Sequence, residues 1–228
     1  PVSLTGVMQT ETQTQNSTCN DGKATLTVTM DDQDPFNNPI TIAASYENFC
    51  QADSTTGTQD IYWGDLTLVT ETVNGSSYIT MTFDQFHTNA GAIDGSITLS
   101  GDFQQSAQMT MSVLVEGESG EVYKFENFVL GFSVDSFSGD TTVDMNGRFY
   151  DPQNGYVDLI TDTSFVIPSG SEYPTSGSLT ATGASGAWVT LTANSDGTYD
   201  VTGSTDGTNT DVSVTGQSWG NSNTDLGF

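Results

Sequence analysis

The chain has 228 residues and a formal net charge of −26, with three basic residues against 29 acidic ones. This balance excludes nucleic acid and anionic membrane surfaces as partners, because almost no Lys or Arg is present to neutralise phosphate. No apolar run is long enough for a membrane-spanning helix, so we expect no transmembrane segment.

The N-terminal stretch, residues 1–15, begins with apolar residues at Val2, Leu4 and Val7 and continues into a polar run of Gln and Thr. The pattern predicts a strand. Two roles are open for it: pairing within its own sheet, or donation to the sheet of a neighbouring subunit. Val2, Leu4 and Val7 are the candidate assembly residues. Because the sequence starts at Pro1 and shows no signal peptide, we expect a mature form from which a leader has been removed.

Residues 16–167 are predicted to form the main domain. Apolar and polar residues alternate most clearly over 24–30, and Asn74-Gly75 between two alternating runs predicts a tight hairpin. No stretch shows the period of an amphipathic helix. Further alternating runs lie at 40–50, 61–69, 78–83, 95–103, 107–115, 122–125, 129–137, 142–150 and 156–166. The sequence therefore predicts an all-β antiparallel meander without substantial helix, forming either a sandwich or an elongated twisted sheet.

Three similar tetrapeptides recur in this domain, at 46–49, 83–86 and 125–128, each with an aromatic residue, an acid, an amide and Phe. Each is followed by a Gly that opens another alternating run. Repetition at an interval of about 40 residues indicates one strand–turn–strand unit used three times. We expect each tetrapeptide to close a strand, with its acid pointing outward between two inward aromatic residues.

After Pro168 the composition changes. Residues 168–228 are poorer in large side chains and richer in Gly, Ser and Thr, with short alternating runs between Gly-rich turns. This texture predicts a smaller C-terminal β subdomain.

Cys19 and Cys50 are the two cysteines of the chain. An even pair in a sequence rich in Thr, Ser and Asn indicates a disulfide formed in an oxidising compartment. Two buried free thiols are the alternative. With the disulfide, we expect an exported protein located at the cell surface or in the extracellular medium.

The chain resembles uncharacterised secreted or lipid-anchored β-proteins of Gram-negative bacteria. The likeness lies in Cys19 with Gly22 ahead of an alternating strand, in Cys50 closing the next, and in residues 173–179 followed by Gly183-Ala184. It implies an exported, surface-associated protein with no assigned reaction.

Residues able to carry catalysis are sparse. His87 is the single histidine, so any Ser-His-Asp or Cys-His site would depend on it alone. Carboxylates suffice for a glycosidase pair, but among 29 acids many pairs fall within reach by chance. We therefore predict that the protein is not an enzyme and has no catalytic residues.

Acids on predicted loops are candidates for a calcium site, because Ca²⁺ prefers clustered hard oxygen ligands. None of the clusters has EF-hand spacing, and ordinary turn chemistry is the alternative. We expect no other cofactor. The candidate ligands are Asp31, Asp32, Asp34, Asp196, Asp206 and Asp211.

The three tryptophans, Trp63, Trp188 and Trp219, are candidates for stacking on sugar rings. Aromatic residues on strands more often belong to a core, which is the alternative interpretation. Surface glycans are therefore one candidate class of partner.

Together these features favour an extracellular structural subunit that assembles with copies of itself into a filament or surface layer. Strand pairing between subunits is the expected mechanism, because the unpaired edge of a sheet is a template for another strand. The alternative is a monomeric cell-surface module that binds carbohydrate or another extracellular ligand.

Overall fold

The computed structural model describes residues 8–31, 38–52, 58–73 and 75–219. Fourteen strands form a single antiparallel sheet whose hydrogen-bonded order follows the chain order, and no helix occurs in these residues. The strands are β1 (Met8–Asn16), β2 (Lys23–Asp31), β3 (Ile40–Ala52), β4 (Gln59–Val73), β5 (Ser76–Thr88), β6 (Gly91–Gly101), β7 (Ser106–Gly117), β8 (Val122–Val134), β9 (Thr141–Asp151), β10 (Gly155–Ile167), β11 (Ser176–Gly183), β12 (Trp188–Ala193), β13 (Thr198–Ser204) and β14 (Val212–Ser218).

The predicted all-β antiparallel meander is confirmed. The described strands form one continuous hydrogen-bonded sheet. The predicted hairpin between β4 and β5 is also formed, since Val73 pairs with Ser76; Asn74 itself lies outside the described residues.

The chain divides into two compact units. One comprises Pro1–Phe103 with Thr110–Lys124, and the other comprises Gln104–Met109 with Phe125–Phe228. The boundary expected near residue 168 stays a prediction. Within the second unit, β10 and β11 pair across it.

In the first unit the strands have two chemically distinct faces. Cross-strand partners lie on the same face of a sheet, so the pairings define rows of side chains. One face is apolar, with the row Leu26, Ala44, Leu66 and Phe83 and the row Val28, Ile42, Leu68, Met81 and Ile97.

The opposite face carries hydroxyl groups; we call it the hydroxyl face. It has the row Thr12, Thr27, Ala43, Thr67, Thr82 and Ser96, and the row Thr10, Thr29, Thr41, Val69, Thr80 and Thr98. Neighbouring hydroxyls bond to each other, as between Thr10 and Thr29 at 3.1 Å. Thr–Thr pairs of this kind contribute a few tenths of a kcal/mol to about 1 kcal/mol each.

Each tetrapeptide lies inside a strand and not at its end. β3, β5 and β8 all continue beyond their copies, where we expected the alternating run to close. In β3 the three steps from Tyr46 to Phe49 face only two steps on β4, which is a bulge of one residue. The amide residues Asn48, Gln85 and Asn127 adopt positive φ angles of 49°, 48° and 50°. The chain thus uses Asn or Gln for a left-handed turn within a strand.

The bulge explains why both aromatic residues of a tetrapeptide reach the same face. Residues three apart in a regular strand point to opposite faces, and one inserted residue reverses the second. The paired rings accordingly lie close together, with centroids 6.1 Å apart for Tyr46–Phe49 and 5.8 Å apart for Phe125–Phe128.

Glycines in or directly before the adjacent strands make room for the bulges. A Cβ on Gly22 would lie 1.8 Å from the carbonyl oxygen of Asn48, and one on Gly64 would lie 2.1 Å from that of Gln85. The Gly after each of the first two tetrapeptides also lies opposite its first aromatic residue, since Gly64 pairs with Tyr46 and Gly95 with Phe83.

The predicted disulfide between Cys19 and Cys50 is formed, with Cα atoms 5.6 Å apart. It joins the loop after β1 to β3. Hydrogen bonds from Cys50 N to Ser17 Oγ and from Thr18 N to Cys50 O strengthen the same connection. The chain-entropy model gives a disulfide of this span a stabilising effect of about 3–4 kcal/mol.

In the second unit, turns are closed by aspartates whose side chains accept backbone N–H groups. Asp206 accepts bonds from the backbone N–H groups of Asn209 and Thr208, which hold its pKa well below the ordinary value. Arg148 bonds Asp158 through two nitrogens, at 2.5 and 2.7 Å, and this bond lowers the pKa of Asp158.

Candidate functional site

The first candidate site is the edge of β1. All nine residues from Met8 to Asn16 are exposed, and they pair with β2 without a shift in register. Within the described residues, β2 is the one strand that pairs with β1. Among the described strands, none pairs with the other edge of β1 along Thr10 to Asn16, so the backbone N–H and C=O groups that point outward there can accept a further strand.

The side chains of β1 are polar and almost uncharged. Gln9, Glu11 and Gln13 lie on the apolar face beside Met30, Val28 and Leu26 of β2. Glu11 is the single charged residue of the strand, and no Pro or Gly interrupts it. Natural sheets protect their edges with charges, prolines or bulges. Of these features, the described part of β1 has a single charge, that of Glu11.

The last strand in the order, β14, is different. Its seven residues pair with β13 through a shifted register, and Gly216 has a φ of 64°. Asp200 Oδ1 accepts the N–H of Gly216 at 2.8 Å, so the irregular backbone is held in place. This edge is bulged, as protected edges commonly are.

The second candidate site is an open depression on the hydroxyl face of the first unit, with a volume of about 620 Å³. Trp63 lies beside it and is 40% exposed, an unusual state for a tryptophan on a strand. Trp63 is paired with His87, and Asp65 with Asp84. The depression is lined by Trp63, Asp65, Asp84, His87, Asn89 and Glu116, among others.

This lining combines one aromatic ring with several hydrogen-bonding groups. An exposed ring can stack on the apolar face of a sugar, while amide and carboxylate groups bond its hydroxyls. Asp65 and Asp84 are cross-strand partners, and a pair of carboxylates is the residue type that a glycosidase uses. The prediction that the protein is not an enzyme stays a prediction.

The other two tryptophans belong to the second unit. The ring of Trp219 lies 6.4 Å from that of Tyr173, parallel to it, and 4.7 Å from that of Tyr199. Trp188 is half-buried at the start of β12. Trp219 is therefore part of an aromatic cluster in that unit.

The candidate calcium ligands are not brought together as a metal site in the part of the chain that the structure describes, where no group of three or more His, Cys, Asp or Glu could hold an ion. Asp31 is buried and bonded by Asn38 Nδ2. Asp32 and Asp34 lie outside the described residues. Asp196, Asp206 and Asp211 accept hydrogen bonds within their own turns. Calcium binding stays a prediction.

The candidate assembly residues Val2, Leu4 and Val7 lie outside the described residues, so their role stays a prediction. The exposed strand that the structure describes is the polar run that follows them. The strict alternation of Thr with Gln or Glu over 9–15 was the available signal. Asn89 and Glu116 were missed at the depression, because their approach depends on the pairing of distant strands.

Among the described residues, no helix has the length and apolar character needed to cross a membrane. Comparisons with models of protein families, with curated proteins and with solved structures find no match to this chain. The resemblance to secreted β-proteins of Gram-negative bacteria therefore stays a prediction, and the two sites must be interpreted from their own geometry.

Proposed function

We propose that this protein is an extracellular structural subunit that assembles with copies of itself through strand pairing at the edge of β1. The observation that carries the proposal is the edge itself: nine exposed residues in unbroken register with one charge. A strand of this kind pairs readily with another chain, because pairing satisfies the backbone N–H and C=O groups along its outer edge.

The disulfide supports the extracellular part of the proposal, since structural disulfides persist in oxidising compartments. The net charge of −26 makes the proposed assembly depend on ionic strength. Like charges on two subunits repel until salt screens them, over about 10 Å at ~0.1 M ionic strength. We therefore propose that assembly into a filament or surface layer strengthens as salt is added.

The test compares the same substitution at the two terminal strands. Thr12→Lys on β1 and Thr215→Lys on β14 change the net charge equally, and both positions are exposed. Sedimentation velocity and electron micrographs should show assemblies for the wild type and Thr215→Lys at moderate salt. Thr12→Lys should shift the protein to smaller species, with association through β1 at least tenfold weaker. A wild type that stays monomeric at every salt and protein concentration would overturn the proposal.

A second candidate function is carbohydrate binding at the depression beside Trp63, favoured by the exposure of that ring among hydrogen-bonding groups. A glycan array with wild type, Trp63→Phe and Trp63→Ala tests it. Stacking predicts that Phe retains most of the binding and that Ala weakens it by about 0.5–1.5 kcal/mol, the range for a lost ring contact. Equal signals for all three proteins would exclude a site at Trp63.

A further inference from the structure

The sequence of β1 is nearly symmetric about its centre. The strand runs from Met8 to Asn16, so Thr12 is the middle residue. Thr10 and Thr14 flank it at equal distance, and so do Glu11 and Gln13, which are similar in size. Gln9 and Gln15 continue the symmetry. A strand with this property can pair with a second copy of itself and place similar side chains opposite one another.

We propose that two copies of the chain pair through β1 in antiparallel orientation, about a two-fold axis that passes through Thr12. This inference rests on the proposed function and names its partner and register. In this register Thr12 faces Thr12 of the partner subunit, Thr10 faces Thr14 of the partner subunit, and all nine residues of β1 are paired.

The charge of Glu11 selects this register over its neighbours. With the axis at Thr12, Glu11 faces Gln13 of the partner subunit, whose amide N–H can donate to the carboxylate. An axis moved to Glu11 would place the two Glu11 side chains directly opposite each other, and like charges in that position destabilise a sheet. An axis moved to Gln13 would leave Met8 and Gln9 outside the contact.

In this register each face of the sheet also continues onto the like face of the second copy. Opposite residues of an antiparallel pair share a face, so an axis at Thr12 joins hydroxyl face to hydroxyl face. The row through Thr12 and Thr27 then continues into the same row of the second copy. The Thr–Thr hydrogen bonds seen between β1 and β2 at Thr10–Thr29 and Thr12–Thr27 would recur across the new contact.

A two-fold contact closes on itself, because each copy uses the same surface. The product of this contact is a pair of subunits. Growth of the pair into a filament or layer requires a further contact elsewhere on the molecule.

Single cysteines on β1 test the register. Both native cysteines are engaged in the disulfide, so an added thiol has no native thiol to react with. On the axis, Thr12→Cys places two Cα atoms about 4.5–5.5 Å apart, within the range for a disulfide of about 4.4–6.8 Å. In Thr10→Cys the two thiols are displaced by four residues, about 14 Å along the strands.

We therefore expect rapid covalent dimers from Thr12→Cys under mild oxidation, none above background from Thr10→Cys, and restored dimers from the double variant Thr10→Cys/Thr14→Cys. Nitroxide labels give a second measurement that needs no bond: dipolar broadening should be strongest at 12 and weaker but equal at 10 and 14. Crosslinking of Thr10→Cys as fast as that of Thr12→Cys would overturn the register.

Lysines at adjacent positions provide an independent check. Gln13→Lys faces Glu11 of the partner subunit, twice per pair by symmetry, and should tighten association about two- to tenfold. Thr12→Lys faces its own copy and should weaken it. Equal effects from both would contradict the register, since each adds the same charge. If the wild type assembles but neither thiol nor lysine behaves as stated, this inference fails and the proposed function stands; a wild type that never assembles removes both.

Discussion

The first and last strands of the sheet order present their edges differently. β1 is regular over nine residues, all of them exposed, while β14 has seven residues, a shifted register and Gly216 at positive φ. β14 has the irregular backbone by which natural sheets discourage pairing, and β1 does not. The proposed function therefore places assembly at β1 and not at β14, and the predictions below test this difference between the two strands.

The largest expected effect comes from removing the disulfide, which lies in the same unit as β1. Replacing Cys19 and Cys50 together by Ser should lower the free energy of unfolding of the first unit by about 3–4 kcal/mol. The second unit, which contains β14, should keep its stability. Urea titrations of variants that retain either Trp63 or Trp219 as the single fluorescent tryptophan would report the units separately. Equal losses in both would show that the two units unfold together, which would contradict the expected confinement of the effect to the first unit.

The second prediction concerns a variant in which β1 is made as irregular as β14. Inserting one Gly after Thr12 should give β1 a bulge like that of β14 and weaken association about a hundredfold, which corresponds to about 2.7 kcal/mol. The matched control inserts Gly after Thr215 in β14. Sedimentation equilibrium measures both. If the insertion in β14 weakens association as much as the one in β1, the assembling edge has been misidentified.

A smaller effect is expected from loosening β14. Asp200 Oδ1 accepts bonds from Gly216 N and from Asn194 Nδ2. Asp200→Ala should destabilise this region by about 1–3 kcal/mol, because both donors lose a charged partner. Asp200→Asn keeps an acceptor and should cost less. Hydrogen exchange at Gly216 is the measurement, and unchanged protection in the Ala variant would show that the bulge does not depend on Asp200.

The smallest expected effect is a pH dependence of the stability of the turn that precedes β14. The backbone bonds that lower the pKa of Asp206 stabilise the turn before β14. Their contribution is complete above the ordinary Asp pKa of about 3.9 and is lost as the pH falls through the lowered folded value. Amide shifts of Thr208 and Asn209 should therefore stay constant down to about pH 4 and change below it, and Asp206→Asn should remove the transition. A transition well above that pH would show that the carboxylate of Asp206 is not the group that titrates.

Much of the fold follows from the alternation of residue types. The run at 24–30 predicts β2 within one residue at each end, and Asn74-Gly75 predicts the hairpin between β4 and β5. The prediction that each tetrapeptide closes a strand was wrong. An aromatic residue, two polar residues and Phe interrupt the alternation in the same way as a turn does. Yet two aromatic residues three apart can share a face of a sheet only if one residue bulges, and that requirement was present in the sequence.

The candidate sites were less predictable, for a different physical reason. The alternation of Thr with Gln or Glu in β1 identifies a strand, but its position at the edge depends on which strands pair. Glu116 reaches the depression of Trp63 only because several strands align between β4 and β7. Nothing near Glu116 in the sequence carries that information.

The extra residue in each tetrapeptide has a consequence for how this chain can vary. Up to Gln85, odd-numbered residues of β5 such as Met81 and Phe83 occupy the apolar face, and after it the even-numbered Phe86 does. Deleting Gln85 would leave Phe83 and Phe86 two residues apart in a regular strand, so both rings would stay on the apolar face and His87 on the hydroxyl face, while the bulge would be lost. Deleting a residue elsewhere in β5 would instead move every later side chain to the opposite face. The inserted residue of the tetrapeptide is therefore a position where the strand can change length by one residue and keep its faces.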